Sequence, residues 1–438
     1  MNPEDIKRYI RLFHEREIPK VIEREVKPSF AEGRTTAIVG PRRSGKTYLL
    51  YSLIGEDREK YVYLNFENPL LFGITGRDFP KILDAYYDLY PENVGEDIAF
   101  LLDEIQNVPG WEIGVRYLTD EGFKVAVTGS SSRLLSKEIA TQLRGRSLTY
   151  TLLPLSFREF LRFKGTWIER RDLYGREIHR IKKLLDEYLR FGGFPEVVLL
   201  KDKIRILEEY LSVMITKDII ERHSIRNVAL IESVIRLLLS SYAKYTSYSS
   251  IHGFLKSEFG TSKTTVLEYL KALGDSFFVF FLPRYARSEK ESQRAPKKVY
   301  LVDTGFSLFS RKDVAKDMEN AVFLELMRLK HYFNPLLDVY YYGGSGEKEV
   351  DFVLVESGRV VELIQVTQDL SESKDREVSA LVEAGRRLGC KNLTVVTLDE
   401  EGDVEADWGK VKVVPLWKFL LEITPSAPLS ALPSPEPF

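Results

Sequence analysis

Apolar runs and stretches with helical spacing alternate along the first part of the chain. The apolar runs show little strict alternation, which is the pattern expected of strands covered on both faces in a parallel sheet. They are TTAIV at 35–39, YVYLNF at 61–66, DIAFLLDEI at 97–105, FKVAVTGSSS at 123–132 and SLTYTLLPL at 147–155. Strands that alternate with helices in this way predict a doubly wound α/β domain.

Helical spacing is also present before and after this α/β region. Ile6, Ile10 and Phe13 fall on one face of a helix within residues 3–30. Residues 171–240 are mostly helical in pattern, with an interruption at FGGFPEV, residues 191–197. A helical segment before the core and a helical lid or linker after it are therefore expected.

From residue 246 the pattern becomes that of two helices separated by a turn at Gly260 and followed by a strand pair, the second strand being KKVYLVD at 297–303. This order predicts a helix-turn-helix with a two-stranded wing, a unit that contacts DNA in some proteins and docks proteins in others. The second helix is expected to bury Val266, Leu267, Leu270 and Leu273, and to expose Lys263, Thr264, Thr265, Glu268 and Lys271.

The remaining sequence predicts a smaller α/β domain built around a hairpin, in which DFVLV and VVELIQVT flank the turn ESGR. A Pro/Ser-rich tail follows and is expected to be disordered. The predicted organisation is an N-terminal helical segment 1–30, an α/β core 31–165, a helical lid or linker 166–243, a winged helix 244–305, an α/β domain 306–422 and a tail 423–438.

Composition changes this picture mainly through the distribution of charge. The formal net charge is -2 at pH 7, so any attraction to nucleic acid has to come from a local patch. Between Lys244 and Lys298, ten Lys and Arg residues oppose five Asp and Glu residues. The single cysteine, Cys390, excludes internal disulfides and multi-cysteine metal sites, and the five histidines show no zinc-ligand spacing.

The terminal and apolar segments predict a cytoplasmic location. The N-terminus is charged throughout, unlike a signal peptide, and the longest apolar run, FFVFFL at 277–282, is far too short to cross a bilayer. We therefore expect a soluble protein without a membrane segment.

A phosphate-binding motif follows the first strand of the core. GPRRSGKT has the form G-x-x-x-x-G-K-T and lies between a predicted strand and a predicted helix. Its glycines let backbone N–H groups turn inward around a di- or triphosphate, and the helix N-terminus adds its dipole. Lys46 would reach the β- and γ-phosphates and Thr47 would hold Mg²⁺. The predicted ATP-binding residues are Gly40, Pro41, Arg42, Arg43, Ser44, Gly45, Lys46, Thr47 and Tyr48.

Two acids end the third predicted strand, in LLDEIQ. Asp103 would bind Mg²⁺, usually through water, and Glu104 would orient the water that attacks the γ-phosphate. The alternative is that this acidic pair merely ends a strand. The phosphate motif upstream favours the catalytic interpretation.

Together these motifs resemble the AAA+ branch of the P-loop ATPases. More closely, the chain is similar to archaeal and bacterial ATPases that join such a core to a C-terminal nuclease-like domain. The resemblance covers nearly all of residues 20 to 420, and its motifs are GPRRSGKT, YLNFEN, LLDEIQNV, VTGSSSRLL, LRGRS, PLSFREF, YLRFGGFPEV and KKVYLVDTG. It implies an AAA+ P-loop NTPase core with a helical lid, then a winged helix-turn-helix and a restriction-endonuclease-like α/β domain.

The resemblance also implies roles for residues outside the phosphate motif. Thr128, or alternatively Ser130, would sense the γ-phosphate, and Arg144 or Arg146 would be the arginine finger that stabilises charge in the transition state. A solvated helix end is the alternative for the two arginines. Pro195, in GGFP, would touch the nucleotide base in an element that joins lid to core, and a simple helix-breaking turn is the alternative there.

The basic region around the predicted wing supplies candidates for contact with DNA phosphates, and such binding would depend on salt. A structural or protein-binding role for the same region is the alternative. The candidates are Lys263, Thr264, Arg284, Arg287, Arg294, Lys297 and Lys298.

The C-terminal hairpin matches a PD-(D/E)xK nuclease only in part. Such an enzyme needs two carboxylates that converge on Mg²⁺ and a lysine that positions or activates water. Asp351 fits the first acid and Glu325 fits the acid on the preceding helix. The stretch that should read acid-x-Lys has Gln365 and Thr367 instead, so we expect this site to be incomplete.

The leading hypothesis is an ATPase that uses ATP and Mg²⁺ to drive movement between its core and a DNA-contacting C-terminal half, with the nuclease-like site inactive. A second hypothesis is a nucleotide-gated switch that recruits protein partners without binding DNA. A third is an active ATP-dependent DNA nuclease. The sequence leaves open whether the protein forms a homo-oligomer.

Overall fold

The computed structural model describes residues 3–129, 143, 145–167, 175, 177–344, 347–371 and 374–422. Ser130, Arg144 and the tail 423–438 lie outside the described residues. The chain divides into two compact units, which are Met1–Leu153 with Asp275–Phe277 and Pro154–Gly274 with Phe278–Phe438.

The described strands of the first unit form a five-stranded parallel sheet in the order β2-β3-β4-β1-β5. They are β1 (Thr35–Val39), β2 (Tyr61–Asn65), β3 (Ala99–Asp103), β4 (Lys124–Gly129) and β5 (Ser147–Thr151). Every residue of β1 and β3 is buried, which agrees with their continuous apolar sequence. The prediction of a parallel α/β sheet is confirmed.

The helices of the first unit cover this sheet. They are α1 (Pro3–Glu15), α2 (Lys46–Tyr51), α3 (Phe79–Leu89) and α4 (Trp111–Asp120), with 3₁₀ turns at Arg58–Lys60, Pro69–Leu71, Gly76–Asp78, Pro91–Asn93 and Ile105–Asn107. Helix α1 packs against α3 and buries Ile6, Ile10 and Phe13 together with Tyr9. The N-terminal helix is therefore part of the first unit's core.

The second unit begins with a helical region. Its helices are α5 (Phe157–Phe163), α6 (Glu177–Phe191), α7 (Pro195–Leu199), α8 (Lys203–Val213), which continues as a π-helix over Met214–Glu221, and α9 (Val228–Ser240). Ser156 begins α5 with a reciprocal capping box to Glu159, and Gly192 follows α6 with a φ of 75°. The break that the sequence predicted at GGFP therefore separates α6 from α7.

A three-stranded antiparallel sheet with two helices follows. Its elements are β6 (Tyr245–Thr246), α10 (Tyr248–Phe259), α11 (Lys263–Asp275), β7 (Val279–Leu282), α12 (Glu289–Arg294) and β8 (Lys297–Leu301), and the strand order is β6-β8-β7. Gly260 ends α10 with a φ of 60°. One predicted core residue of α11 is wrong, because Leu267 is 37% exposed while Tyr269 is buried.

The C-terminal part contains a six-stranded sheet in the order β13-β14-β12-β11-β10-β9. After a 3₁₀ helix at Thr304–Phe309, its elements are α13 (Val314–Arg328), which continues as a π-helix over Leu329–Phe333, β9 (Leu337–Gly344), β10 (Glu347–Glu356), β11 (Arg359–Val366), α14 (Lys374–Leu388), β12 (Leu393–Thr397), β13 (Gly402–Ala406), β14 (Gly409–Pro415) and α15 (Leu416–Glu422). Strands β10 and β11 form the predicted hairpin, and β11 pairs in parallel with β12.

Within the described part of the chain, no helix combines the length and the hydrophobicity needed to cross a membrane.

Candidate functional site

The phosphate motif forms the turn between β1 and α2. Arg43 and Gly45 have φ values of 68° and 97°, the left-handed backbone that makes such a tight turn. A Cβ on Gly40 would lie 2.1 Å from the carbonyl oxygen of Leu152. Glycine is therefore required at position 40, where the motif has it.

Lys46 arches back over this loop. Its side chain is buried, and its ammonium donates to the carbonyl oxygens of Gly40 (3.3 Å) and Pro41 (3.1 Å). The same ammonium lies 4.0 Å from Oε1 of Glu104. The loop and the end of β3 therefore place a cation and a carboxylate beside each other.

Asp103 ends β3 as the acceptor of three hydroxyl groups. Thr47 donates at 2.7 Å, Tyr63 donates at 2.9 Å, and Thr128 donates to the other carboxylate oxygen. Burial raises the pKa of Asp103, the neighbouring charge of Glu104 raises it further, and the three hydroxyl donors oppose that rise. Tyr63 was missed by the sequence interpretation, although it lies in the YLNFEN motif.

Thr128 also fixes the residue after Asp103. Its hydroxyl oxygen accepts the backbone N–H of Glu104 at 2.9 Å. Glu104 has a φ of 54°, which is uncommon for a residue other than glycine and is often found at functional sites. The amide of Gln106 donates to the Glu104 carboxylate. Thr128 thus joins the two acids that the sequence predicted to act together.

The oxygen atoms at this site fit Mg²⁺. The Thr47 hydroxyl and the Asp103 carboxylate are hard oxygen ligands of the kind Mg²⁺ prefers, and Mg²⁺ commonly takes its remaining ligands from water and substrate phosphates. The hydroxyl of Ser44 is buried and has no hydrogen-bond partner. An incoming phosphate or water would satisfy it.

Arg24 supports the phosphate loop from a segment that the sequence interpretation did not connect with it. This arginine is buried and donates to the carbonyl oxygens of Ser44 and Leu153, each at 2.8 Å. Leu152 in turn donates its N–H to the carbonyl of Val39, the residue before Gly40. The N-terminal segment and the end of β5 therefore both hold the loop in place.

Arg146 lies at the edge of the sheet opposite the phosphate loop. It immediately precedes β5, and its carbonyl accepts the N–H of Thr35 at the beginning of β1, whereas the loop follows the end of β1. Five residues of strand span roughly 16 Å. The Arg146 side chain is 62% exposed and pairs with Asp120 at 2.6 Å. Arg146 therefore cannot reach the nucleotide site of its own chain.

The remaining predicted nucleotide contacts have more open surroundings. Arg42 is half-buried and lies 3.4 Å from Glu67, while Arg43 and Tyr48 are exposed. Pro195 is the first residue of α7 in the second unit. Its contact with the base stays a prediction.

The predicted DNA contacts separate into exposed and buried residues. Lys263, Thr264, Arg287 and Arg294 are exposed, and Arg284 is half-buried and lies 3.8 Å from Glu291.

The two lysines of KKVYLVD are corrections to that set. Lys297 is 7% exposed and donates to the carbonyl of Ser292 at 2.8 Å, and Lys298 is 1% exposed. Buried ammonium groups cannot contact DNA phosphates, so neither lysine is a DNA contact. Their positive charge did not indicate that both lysines lie on β8, a strand whose residues are all buried.

Lys298 lies at the centre of an acidic cluster. Its ammonium is 2.7 Å from Oδ1 of Asp351, 2.7 Å from Oε1 of Glu349 and 3.0 Å from Oε1 of Glu319. Burial alone would lower the pKa of Lys298, but the carboxylates, Asp351 first, hold that pKa well above its ordinary value. The lysine is therefore a buried cation balanced by its neighbours.

The other residues of the predicted nuclease-like site make local contacts. The backbone N–H of Asp351 donates to Oε1 of Gln365 at 3.2 Å, and Oδ2 of Asp351 accepts the N–H of Val366 at 2.9 Å. The Thr367 hydroxyl donates to the carbonyl of Asp369 at 3.2 Å. Asp351 and Gln365 are brought together as expected, whereas Thr367 takes part in a local turn.

Glu325 is the wrong acid for this cluster. It is buried between Arg158, which donates to Oε1, and Arg328, whose Nη1 lies 3.0 Å from Oε2. Glu319, on the same helix, is the acid that meets Asp351 through Lys298. Six residues correspond to a rotation of about 240° around an α-helix, so these two glutamates point in very different directions. The apolar pattern of α13, which is buried on most of its surface, did not distinguish them.

Three families match successive parts of the chain. Residues 32–161 match a family described as an AAA domain. Residues 182–312 and 316–419 match two families described as domains of unknown function, DUF8612 and DUF4143. The first match confirms the predicted AAA core, while the winged helix and the nuclease-like domain stay predictions.

Two solved structures share limited similarity with the chain. Cdc6p from Pyrobaculum aerophilum is 12% identical, with 66% of this chain and 88% of that chain covered at a TM-score of 0.26. PCH-2 from C. elegans is 13% identical, with coverages of 55% and 60% and a TM-score of 0.22. TM-scores this low support no conclusion about this chain.

Two relatives match most of the chain. "Uncharacterized protein MJ1544" of Methanocaldococcus jannaschii is 37% identical over 418 residues, which cover 92% of this chain and 91% of that protein. An "Uncharacterized protein" of Haemophilus influenzae is 31% identical over 355 residues, with coverages of 77% and 83%. The chain therefore belongs to the same protein family as these archaeal and bacterial proteins, and its residues 32–161 match the AAA-domain family.

Proposed function

We propose that the first unit binds and hydrolyses ATP with Mg²⁺. The observation that supports this most strongly is the hydrogen-bonded set around Asp103, in which Thr47 of the phosphate loop and Thr128 of β4 donate to one carboxylate. With Tyr63 of β2 as the third donor, side chains from the phosphate motif, β2 and β4 converge on this acid.

The side chains have distinct roles in this proposal. Lys46 leaves its carbonyl partners and binds the β- and γ-phosphates, where its charge stabilises the transition state. Thr47 and Asp103 would hold Mg²⁺, which would neutralise phosphate charge. Glu104 orients the attacking water, and Thr128 keeps Glu104 in place through its backbone N–H.

Substitution of Lys46 tests this assignment. Lys46→Ala is expected to abolish ATP binding or turnover, because no other described cation of the loop is buried beside Glu104. Lys81→Ala is the matched control, since Lys81 is exposed and pairs with Asp78 on a helix outside the site. Turnover by Lys46→Ala at the rate of the control would refute the proposal.

We further propose that the β6–β8 region is a winged helix that contacts DNA. The element order and the β6-β8-β7 sheet support the fold, and Lys263, Arg287 and Arg294 remain exposed as phosphate contacts. Electrophoretic shifts at low and high salt, with and without ATP, test the contact. Unchanged mobility at low salt would refute it.

A protein-docking role is the second candidate for this region. It is favoured by two exposed apolar side chains, Phe254 on α10 (53% exposed) and Leu267 on α11 (37% exposed). Apolar surface on these helices suits a protein partner better than a phosphate backbone. In that case Leu267→Ser would abolish partner recruitment and leave any DNA shift unchanged.

For the C-terminal sheet we propose a nuclease-like fold without nuclease activity. The β10–β11 hairpin follows helix α13, as the resemblance implies, and Asp351 lies on the first strand of that hairpin. The incomplete acid-x-Lys stretch and the burial of Asp351 (4% exposed) support inactivity. Plasmid nicking with Mg²⁺ or Mn²⁺ should be equally absent from wild type and Asp351→Ala, and nicking by wild type alone would refute this.

A further inference from the structure

The acidic cluster around Lys298 is more than an incomplete copy of a nuclease site. In a nuclease of this type, acids from a helix and a strand converge on a divalent metal ion. Here Glu319 of α13 and Asp351 of β10 converge on an ammonium group instead. Glu349, whose side chain is 44% exposed, is the third carboxylate.

The residues present do not fit a divalent ion. Oδ1 of Asp351 is held by Lys298, Oδ2 accepts the N–H of Val366, and Oε1 of Gln365 accepts the N–H of Asp351. The carboxylate oxygens surround the ammonium at 2.7 to 3.0 Å, whereas Mg²⁺ binds oxygen at about 2.0–2.1 Å. Within the described ranges, no group of three or more His, Cys, Asp or Glu residues is arranged to hold a metal.

The groups around the Lys298 ammonium stabilise it as a permanent part of the cluster. The ring of Tyr245 lies 5.3 Å from it, and Tyr300 donates to Glu319 at 2.6 Å. Burial and the charge of Asp351 raise the pKa of Glu319 above its usual value, while the ammonium of Lys298 and the hydroxyl of Tyr300 oppose that rise. Removing one partner from such a buried set leaves an unpaired charge, which is strongly destabilising.

We propose that Lys298 is the resident cation of this cluster, that it excludes divalent ions from it, and that it fastens strand β8 to the sheet that contains β10. The comparison with a metal site rests on the proposed nuclease-like fold, whereas the ion pairs themselves do not. The proposal is independent of ATP hydrolysis, which the proposed function assigns to the first unit. Failure of one therefore leaves the other standing.

Binding of Mn²⁺ to the full-length, nucleotide-free protein tests the exclusion of metal. Electron paramagnetic resonance titrations would compare wild type, Asp351→Asn and Asp103→Asn. We expect the same number of bound Mn²⁺ ions in wild type and Asp351→Asn, and any ion lost only in Asp103→Asn to belong to the nucleotide site. A Mn²⁺ ion that is lost in Asp351→Asn but kept in Asp103→Asn would overturn the proposal.

A double-substitution cycle tests the fastening. Lys298→Met should lower the thermal midpoint of the second unit by roughly 5 °C or more, because it leaves buried carboxylates unpaired. The same substitution should cost clearly less in Asp351→Asn, which has one carboxylate fewer. Equal losses in the two backgrounds would overturn the proposal. If Lys298→Met fails to fold, the Mn²⁺ titration still tests the proposal, because it does not use that variant.

Lys297→Met is the matched control for the cycle. Lys297 is the adjacent buried lysine, but its ammonium donates to the carbonyl of Ser292. The stability lost through Lys297→Met should therefore be the same with and without Asp351→Asn. Non-additivity confined to position 298 would identify the ammonium–carboxylate contacts as the cause.

Discussion

Single side chains hold the phosphate loop by satisfying buried backbone carbonyls. Arg24 does so for Ser44 and Leu153, and a guanidinium is suited to this because it presents several donors in fixed geometry. The motifs GPRRSGKT and LLDEIQ predicted that Lys46 and Thr47 would lie beside Asp103 and Glu104, and the structure brings these side chains together. Arg24 and Tyr63 were not predicted, because their partners are distant in the chain and are chosen by tertiary packing.

Substitution of Arg24 should weaken nucleotide binding. Arg24→Met removes two charged hydrogen bonds, one to the carbonyl of Ser44 in the loop and one to the carbonyl of Leu153. We therefore expect ATP affinity to fall about tenfold or more. Arg24→Lys should recover part of that loss, because it restores the charge but not both donors. Isothermal titration measures the effect, with exposed Lys27→Met as the control. Affinities equal to wild type in a folded Arg24→Met protein would show that the loop holds its shape unaided.

Tyr63 should affect the pH dependence of turnover. The hydroxyl of Tyr63 stabilises the ionised form of Asp103, and its loss in Tyr63→Phe therefore raises the pKa of Asp103 further above its usual value. In the proposed site the ionised carboxylate holds Mg²⁺, so we expect the activity of the variant to be lost at a higher pH than that of wild type as the pH is lowered. Profiles of kcat/KM against pH would detect this shift of the acid limb, and superimposable acid limbs would contradict it.

At the level of elements, the strands of the first sheet were predictable because continuous apolar sequence between helices has few other solutions. The sequence did not show which acid of α13 faces Asp351. That helix is buried on most of its surface, so its apolar pattern defines no single buried face. The break between α6 and α7 was predictable from GGFP, but the residue that binds the backbone at this break was not. Asp303, at the end of KKVYLVD, accepts the N–H of Gly193 at 2.8 Å and that of Gly305 at 2.9 Å.

Gly192 and Gly165 provide a matched test of this junction. Both have positive φ, but a Cβ on Gly192 would lie 1.5 Å from Oδ1 of Asp303, whereas one on Gly165 would meet no atom within 4 Å. Gly165→Ala should cost about 1 kcal/mol from backbone strain alone. Gly192→Ala should cost several times more, as measured by denaturant unfolding. Equal losses of unfolding free energy in the two variants would mean that the contact between Gly192 and Asp303 adds nothing to the cost of backbone strain.

At the scale of the whole molecule, charge and assembly matter more than single contacts. The burial of Lys297 and Lys298 removes two cations from the basic region that the sequence indicated, so that less charge is available for DNA than its composition suggested. Arg146, if it is an arginine finger, has to act on the site of a second copy, because it lies at the opposite edge of its own sheet from the phosphate loop.

An arginine finger acting between copies would make turnover depend on concentration. The specific ATPase rate of wild type should rise with protein concentration and then level off as copies associate, and Arg146→Ala should remain at the low rate throughout. Mixing Arg146→Ala with Glu104→Gln is expected to restore turnover, since the Glu104→Gln copy supplies the finger to an intact Glu104. A specific rate independent of concentration would exclude this role for Arg146.

The central claim is that Glu104 orients the attacking water beside a phosphate loop that binds ATP. Binding of labelled ATP and its turnover, measured on the same preparation of Glu104→Gln, test this most directly. We predict wild-type affinity with turnover reduced by about a hundredfold or more, because the substitution keeps the shape of the side chain but removes its charge. Turnover by Glu104→Gln at the wild-type rate would contradict the account.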